Sequence, residues 1–220
     1  YADLGPRERP AVHLAIGRAL AALPAFQDAR QAAMLAHHFL EAAHVGGADG
    51  ALDLSIRAGA YALRNFAYEE AIEHFERASR LLTLAAERDP ATECAVLLDL
   101  GLARISAGER AAGQSTLVAA AEKARELGGA SELASVALHL APGLFAIETG
   151  VYDPVLVSLL REAIAQADQL APSRQALMLG RLALALYWSD TFEERVALCN
   201  QAGALAEQDG SDQVRAAVAT

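Results

Sequence analysis

A stretch of twenty residues recurs in this chain after 42 positions without a gap. The first copy, GAYALRNFAYEEAIEHFERA, begins at Gly59, and the second, GLARISAGERAAGQSTLVAA, begins at Gly101. Another match, shifted by 81 positions, aligns ARELGGASELASVAL with LAEQDGSDQVRAAVA. Because 81 is close to twice 42, one period of about 40 residues explains both matches. A period of this length predicts stacked structural units that share a continuous core.

These units are predicted to be helical. Alanine makes up about a quarter of the chain, while valine, isoleucine and aromatic residues are sparse. Alanine loses no side-chain entropy in a helix, whereas β-branched residues lose χ1 freedom there. In the first copy Ala71, Phe75 and Ala78 follow one another at helical spacing, which keeps one apolar stripe facing inward. The sequence therefore predicts an all-α fold of antiparallel helix hairpins.

Glycine and proline residues divide the chain into about ten predicted helices. Asp153 and Pro154 end the longest irregular stretch, APGLFAIETGVYDP, and are placed as the N-cap and first-turn residue of the next helix. The first predicted helix ends near Leu23. The others span 29–43, 51–65, 67–87, 91–107, 109–127, 131–140, 173–188 and 192–208. We expect leading helices in residues 1–46 and repeats in residues 47–220, in a piece of a longer protein whose last helix, SDQVRAAVAT, is incomplete.

The charge balance argues against a nucleic-acid-binding role. The chain carries 28 acidic side chains against 18 Lys and Arg, a formal net charge of −10. Affinity for nucleic acid comes mostly from Lys and Arg side chains that displace counterions from phosphates. No apolar run reaches the roughly 18 to 20 residues of a membrane span. We therefore expect a cytoplasmic segment that binds neither nucleic acid nor membranes, with Cys94 and Cys199 as buried, reduced thiols.

The segment GERAAGQS, residues 108–115, has two glycines at the spacing of a phosphate-binding P-loop. A working P-loop follows a strand and carries a lysine that reaches the phosphates, but Gln114 occupies the lysine position. The 42-residue repeat also aligns the run before Gly108 with SIRAGAYALRN, which is predicted to be helical. The sequence therefore predicts a turn at Gly108 and a helix crossing at Gly113, where the first copy has Ala71.

A second candidate site lies in HHFLEAAH, residues 37–44. His37 and His44 are seven residues apart with Glu41 between them, so the three side chains share one face of a continuous helix. Such a stripe is one way to bind zinc. The alternative is a set of packing or surface residues without a metal, and we favour it. His13, His74 and His139 are isolated in the sequence and are expected to be structural.

The first copy resembles a tetratricopeptide repeat. It has a small residue at Gly59, an aromatic residue at Tyr68, and then Ala71, Phe75 and Ala78 at the spacing typical of that family. The resemblance implies two antiparallel helices that approach closely at Gly59 and Ala71, with Phe75 filling the space toward the next hairpin. Stacked hairpins of this family form a right-handed superhelix.

Longer stretches resemble the C-terminal helical region of large bacterial ATP-binding transcriptional regulators, the LuxR-like and related signal-transduction ATPases. These stretches are RERPAVHLAIGRALAAL, the run from MLAHHFLEAAH to HFERASRLL, ARELGGASELASVAL and LALALYWSD. The resemblance implies a non-catalytic sensor or protein-interaction domain of such a regulator, which controls an ATPase module outside this segment. The alternative is a free-standing tetratricopeptide adaptor that docks peptides or client proteins.

In tetratricopeptide arrays the first helix of each hairpin lines a groove. The resemblance places these side chains there: Ile56, Leu63, Leu98, Leu102, Ile105, Leu184, Tyr187 and Trp188. An apolar groove suits a protein or peptide partner, or a small effector, unless the same residues pack against neighbouring helices. We expect no cofactor and no catalytic or metal-binding residue in this segment. A homo-oligomer is an expected way to cap the incomplete last repeat.

Overall fold

A computed structural model describes residues 5, 8–24, 31–84, 89–140, 152–210 and 212–219 of the chain. These residues form helices and no strand, so the predicted all-α fold is confirmed. The helices are α1 Arg9–Ala21, α2 Ala32–Glu41, α3 Ala48–Arg64, α4 Tyr68–Leu84, α5 Pro90–Ser106, α6 Arg110–Leu127, α7 Ala130–Leu140, α8 Pro154–Ala165, α9 Pro172–Ala185, α10 Phe192–Asp209 and α11 Asp212–Ala219. Short 3-10 turns, Ala43–Val45 and Ala167–Gln169, follow α2 and α8.

Where they can be compared, the predicted helices agree with these bounds to within a few residues. The differences are at helix ends: α3 begins at Ala48 instead of residue 51, α9 stops at Ala185 instead of Trp188, and α2 stops at Glu41 instead of residue 43. The polypeptide after α2 turns at Gly46, whose φ of +100° is readily adopted by glycine. Four features of the prediction lie outside the described residues. They are the link in 25–28, the helix start at 29, the helix end at 87 and the irregular stretch 141–151.

The chain divides into two compact units, residues 1–116 and 117–220. Helix α6 begins in the first unit and ends in the second. The boundary expected between residues 46 and 47 falls within the first unit. In each unit, helices that follow one another in sequence pack against each other, as in α3 with α4 and α9 with α10.

In the first unit, α3 and α4 meet where the repeat pattern predicts a close approach. A Cβ added at Gly59 would lie 2.8 Å from the ring of Phe75. Phe75 is fully buried and belongs to a cluster with Ala71 of its own helix and with Leu100 and Ala103 of α5. The predicted role of Phe75, filling the space between one hairpin and the next, is confirmed.

The segment GERAAGQS has the predicted turn and helix crossing. Gly108 lies between α5 and α6 with φ of +89°, a conformation that favours glycine. A Cβ added at Gly113 would lie 2.9 Å from the carbonyl oxygen of Gly101 and 2.6 Å from Cγ1 of Ile105. The residues before Gly108 form helix α5 and not a strand, so the segment is not a P-loop.

A polar network joins three helices of the first unit. The guanidinium of Arg104 on α5 donates to Oε1 of Glu76 on α4 and to Oγ1 of Thr116 on α6, each at 2.7 Å. The Thr116 hydroxyl in turn donates to the carbonyl oxygen of Ala112 at 2.8 Å. Because Arg104 is largely buried, these bonds tie successive helices together where water competes little.

In the second unit, arginine side chains join helices that are two positions apart in sequence. Arg125 on α6 donates from Nε and Nη2 to the carboxylate of Glu162 on α8, at 2.8 and 2.7 Å. Arg161 on α8 donates to Glu194 on α10 at 2.8 Å. Arg174 on α9 similarly reaches two serine hydroxyls of α7, those of Ser131 and Ser135. These contacts thus connect α6 to α8, α8 to α10, and α7 to α9.

Helices α5 and α8 begin with the same two residues. The side chain of Asp153 accepts from the backbone N–H of Val155 and Leu156, as predicted, and Pro154 occupies the first turn. Asp89 caps α5 in the same way, and it also accepts from the Thr92 hydroxyl. These hydrogen bonds lower the pKa of the Asp89 carboxyl, the Thr92 hydroxyl first and the backbone second. Both helices therefore start at a fully satisfied cap.

Candidate functional site

Five of the predicted groove residues lie in the first unit, and all five are half-buried: Ile56, Leu63, Leu98, Leu102 and Ile105. Ile56 packs against the buried cluster that contains Leu82 and Val96. Leu63 packs against the cluster around Phe75. Each of these two side chains therefore contributes to core packing on one side while part of its surface stays accessible.

A shallow depression of about 310 Å³ lies on this face, between α3 and α5. Its lining is mostly apolar and consists of Ile56, Ala91, Thr92, Ala95, Val96 and Asp99. Leu98 and Leu102 are not among its lining residues, although both lie on α5. Its volume is at the small end of the range of about 300 to 1,000 Å³ that is typical of small-molecule sites.

The other three predicted groove residues lie in the second unit, at the C-terminal end of α9. Leu184 is half-buried, whereas Tyr187 and Trp188 are 52% and 44% exposed in the turn that leads to α10. The two rings meet edge to face, with centroids 5.1 Å apart. The guanidinium of Arg195 on α10 lies over the Tyr187 ring, 4.5 Å from its centroid. This cation-π contact holds an exposed aromatic pair in a defined position.

The structure adds Arg181 to this region. Arg181 lies four residues after Leu177 and three before Leu184, so the three side chains share one face of α9, and all are half-buried. No carboxylate of the described residues forms an ion pair with Arg181, and burial lowers the pKa of its guanidinium. The sequence LMLGRLALA already contains Leu177, Arg181 and Leu184 at spacings of four and three residues, so their shared face could have been found from the sequence. A cation without a counter-ion, flanked by leucines, favours an anionic group from outside the chain.

The other faces of α9 are more deeply buried than this one. Its buried residues are Ala176, Met178, Leu179, Leu182, Ala183 and Ala185. These side chains face the packed interior of the second unit, where α9 contacts α7, α8, α10 and α11. Helix α11 passes next to Gly180, since a Cβ added there would lie 3.8 Å from Val218. Leu177, Arg181 and Leu184 therefore project from the side of the helix that is not fully covered.

The candidate stripe of His37, Glu41 and His44 does not form. His44 lies in the 3-10 turn after α2, so it does not continue the helical face of His37 and Glu41. Instead, His37 and His38 of α2 meet His13 of α1, with ring centroids 5.1 to 5.7 Å apart. His13 is therefore isolated in the sequence but not in the fold.

Nδ1 of His13 lies 3.1 Å from Nδ1 of His38, a distance at which one ring donates and the other accepts. Burial, followed by the charges of His13 and His37, lowers the pKa of His38. Within the described residues, no group of three or more His, Cys, Asp or Glu side chains is arranged to hold a metal ion. The cluster is therefore best described as a hydrogen-bonded contact between α1 and α2.

The two cysteines differ in their surroundings. Cys94 is buried in α5, as predicted, whereas Cys199 is exposed on α10, so the expectation of a second buried thiol is wrong. The sequence placed Cys199 on an apolar helix, but only two residues of α10, Ala202 and Ala206, are buried. Apolar side chains occur around most of this helix, and periodicity alone does not show which of its faces is covered.

Comparison with known proteins gives a likeness in fold. No protein-family model matches the sequence, and no curated protein matches it. Among solved structures, it is similar to the crystal structure of BtubC (BKLC) from P. vanneervenii, with a TM-score of 0.54 and 14% sequence identity. The match covers 98% of this chain and 89% of that chain. At this identity the likeness shows the fold, an all-α helical repeat.

Within the described helices, none combines the length and the apolar character that crossing a membrane requires.

Proposed function

We propose that this chain is a non-catalytic protein-interaction domain, and that it binds a protein segment carrying a carboxylate among apolar side chains. The observation that carries the proposal is the half-buried guanidinium of Arg181 between Leu177 and Leu184, which has no ion-pair partner among the described residues. Desolvating a cation costs free energy unless an anion compensates it, and a bound carboxylate supplies that compensation with charge-assisted hydrogen bonds.

The aromatic pair at the end of α9 supports the same proposal. Tyr187 and Trp188 expose large apolar surfaces that are already fixed by their mutual contact and by Arg195. Fixed aromatic rings lose little conformational entropy on binding, and they are common energetic anchors at protein interfaces. An apolar side chain of the partner would contact this pair while its carboxylate reaches Arg181.

The sequence resemblance supports a place for this domain in a cytoplasmic, ATP-binding transcriptional regulator. In that setting, partner binding would bias a nucleotide-binding module outside the segment, because binding at one site changes affinity at a coupled site. A free-standing adaptor uses the same surface without such a module. The gene sequence on either side distinguishes the two: a P-loop module upstream supports the regulator, and its absence contradicts the regulator and leaves the adaptor.

The binding surface is tested with a displayed library of fragments of the host proteome, selected on the 220-residue chain. We expect the recovered segments to share an acidic residue next to apolar ones. Arg181→Gln should weaken their binding about tenfold or more, because it removes a charge-assisted hydrogen bond. Arg64→Gln is the matched control, since Arg64 is an exposed arginine at the end of α3 in the other unit.

A double-mutant cycle completes the test. Replacing the acidic residue of a recovered segment by its amide should weaken binding to the native chain and have little further effect on Arg181→Gln. Trp188→Ala should also weaken binding, and Phe66→Ala, at another exposed aromatic residue, should not. Recovered segments that lack a carboxylate, or binding that is unchanged by Arg181→Gln and Trp188→Ala, would contradict the proposed function.

A further inference from the structure

A depression of about 380 Å³ lies in the second unit, where the C-terminal end of α8 meets α9 and α10. Ile164 of α8, Leu179 of α9 and Leu205 of α10 line it, together with two alanines. Its volume is within the range of about 300 to 1,000 Å³ that is typical of small-molecule sites. The walls come from α8, α9 and α10, which pack against one another in sequence, so the depression is a product of the contacts between two neighbouring hairpins.

Three polar residues also line the depression, Asp168, Gln175 and Gln201. The side-chain nitrogen of Gln175 donates to the carbonyl oxygen of Leu170 at 2.9 Å, which leaves the amide oxygen to accept a hydrogen bond. Within the described residues, no hydrogen bond or ion pair uses the Asp168 carboxylate or the Gln201 amide. The polar part of the lining therefore suits a ligand that donates hydrogen bonds.

The charge around the depression favours a cation. Of the described residues that line it, Asp168 alone is charged. Arg161, one turn before Ile164 on α8, is already compensated by Glu194, whose Oε1 accepts from it at 2.8 Å. The last carbonyl groups of α8 add partial negative charge beside Ile164, whereas the positive end of α9 is about one turn before Gln175. A bound cation is therefore stabilised here, and a bound anion is repelled.

We infer that this depression binds a small primary alkylamine, with its ammonium group at Asp168 and its alkyl chain against the apolar lining. An ammonium group has three donors and no acceptor, which matches the carboxylate of Asp168 and the amide oxygen of Gln175. The alkyl chain gains free energy by leaving water for the contact with Ile164, Leu179 and Leu205. Because a free amine is small, it fits a depression of this volume without requiring any further contact surface.

The amine site is separate from the surface of the proposed function. Gln175 and Leu179 are one turn apart on α9, whereas Arg181 follows Leu179 by two residues and lies on the other side of the helix. The inference therefore does not depend on a protein partner at Arg181. Helix α8 belongs to one hairpin and α9 and α10 to the next, so a bound amine contacts two successive hairpins.

NMR titration of the 220-residue chain with hexylamine tests the site. We expect saturable shifts of the backbone amides around the depression at millimolar amine. 1-Hexanol, which has the same alkyl chain without the charge, should bind more weakly, and hexanoate should not bind. N-acetyl-lysine amide presents the same ammonium group on a peptide unit. Tighter binding of that compound than of hexylamine would assign the site to a lysine side chain of a protein and overturn the inference.

Variants of the lining separate the charge from the apolar contact. Asp168→Asn should weaken hexylamine binding about threefold to fivefold, as expected for an ion pair that stays in contact with water. Asp190→Asn, at another exposed aspartate of the second unit, is the matched control. Ala204→Phe, at an exposed lining position, fills the depression and should abolish binding. Ala197→Phe, at an exposed position of α10 that does not line it, should leave binding unchanged.

Three results would overturn the inference. They are the absence of saturable hexylamine binding, binding of 1-hexanol or hexanoate as tight as that of hexylamine, and hexylamine binding that is unchanged by Asp168→Asn or by Ala204→Phe. Both variants change exposed residues, so each should fold like the native chain.

Discussion

The ring of Phe75 on α4 occupies the space that a side chain at Gly59 on α3 would need. An added Cβ would lie 2.8 to 2.9 Å from three ring carbons, which is inside van der Waals contact. Phe75 is fully buried among Ala71, Leu100 and Ala103, so the ring cannot move away without displacing its other neighbours. The close approach of the two helices therefore requires glycine at this position.

Gly59→Ala is expected to destabilise the protein by about 1 to 3 kcal/mol through overpacking. This effect exceeds the gain of about 1 kcal/mol that alanine brings within a helix. Gly180→Ala is the control, because its added Cβ would be at an ordinary 3.8 Å from Val218, and it should be stabilising. Urea unfolding measures the change in the free energy of unfolding of each variant. A Gly59→Ala variant as stable as Gly180→Ala would contradict the packing argument.

Phe66, between α3 and α4, has a left-handed backbone conformation with φ of +61° and is 77% exposed. This conformation costs a bulky residue about 1 kcal/mol, whereas asparagine adopts it more readily. Phe66→Asn is therefore expected to raise the free energy of unfolding by about 0.5 to 1 kcal/mol. Phe66→Ala keeps most of the backbone strain and should not stabilise. Chemical denaturation measures the free energy of unfolding of both variants. If Phe66→Ala is stabilised as much as Phe66→Asn, the backbone conformation is not the cause.

The ion pair of Arg125 and Glu162 is expected to depend on pH. Hydrogen bonds from Arg125 lower the pKa of Glu162, against a smaller opposing effect of burial. The pair therefore stabilises the fold above the ordinary glutamate pKa of about 4.3, and this contribution is lost as the pH falls through the lowered value. A double-mutant cycle with Arg125→Met and Glu162→Gln should give a coupling of about 0.5 to 1 kcal/mol at pH 7. A coupling energy at pH 2 equal to that at pH 7 would contradict a stabilising ion pair between Arg125 and Glu162.

The His13–His38 contact is also expected to respond to pH. The pKa of His38 is lowered by burial first and by His13 and His37 second, so the fold favours its neutral form. The stability from this contact is present above the ordinary histidine pKa of about 6.5 and falls as the pH drops from there through the lowered value. NMR titration should find His38 below 6.5, and His38→Gln should reduce the pH dependence of stability between pH 7 and pH 5. A His38 that titrates at or above 6.5 would contradict the contact.

The sequence contained enough information to predict the helices and the hairpin contacts. Gly59, Gly113 and Phe75 are constrained by size at fixed positions of a repeat, and their roles follow from comparing one copy with the next. Only the shared helical face of His37 and His44 was wrong, because α2 ends at Glu41 before a turn at Gly46. The favoured interpretation, a set of packing or surface residues without a metal, stays a prediction. Where a helix ends depends on contacts with its neighbours as well as on its own residues.

The candidate site was harder to predict from the sequence than the helices were. Tyr187 and Trp188 stand out as aromatic residues in an aromatic-poor chain. Arg181 does not stand out, because an arginine on a leucine-rich helix usually reaches solvent or an acidic partner. Its significance comes from half-burial without an ion-pair partner among the described residues, which only the packing of neighbouring helices determines. The exposure of Cys199 is a second property that depends on the neighbours and not on the spacing of its own helix.

The Asp-Pro starts of α5 and α8 affect how a repeat of this kind can evolve. Asp89 and Asp153 satisfy the first backbone donors of their helices, and Pro90 and Pro154 set the first turn, so the start signal lies within the helix itself. Insertions and deletions in the connection before such a helix leave its first residue unchanged. Repeats can then drift in total length while their helices keep the same register, and self-matches shifted by 42 and 81 residues are compatible with one ancestral unit.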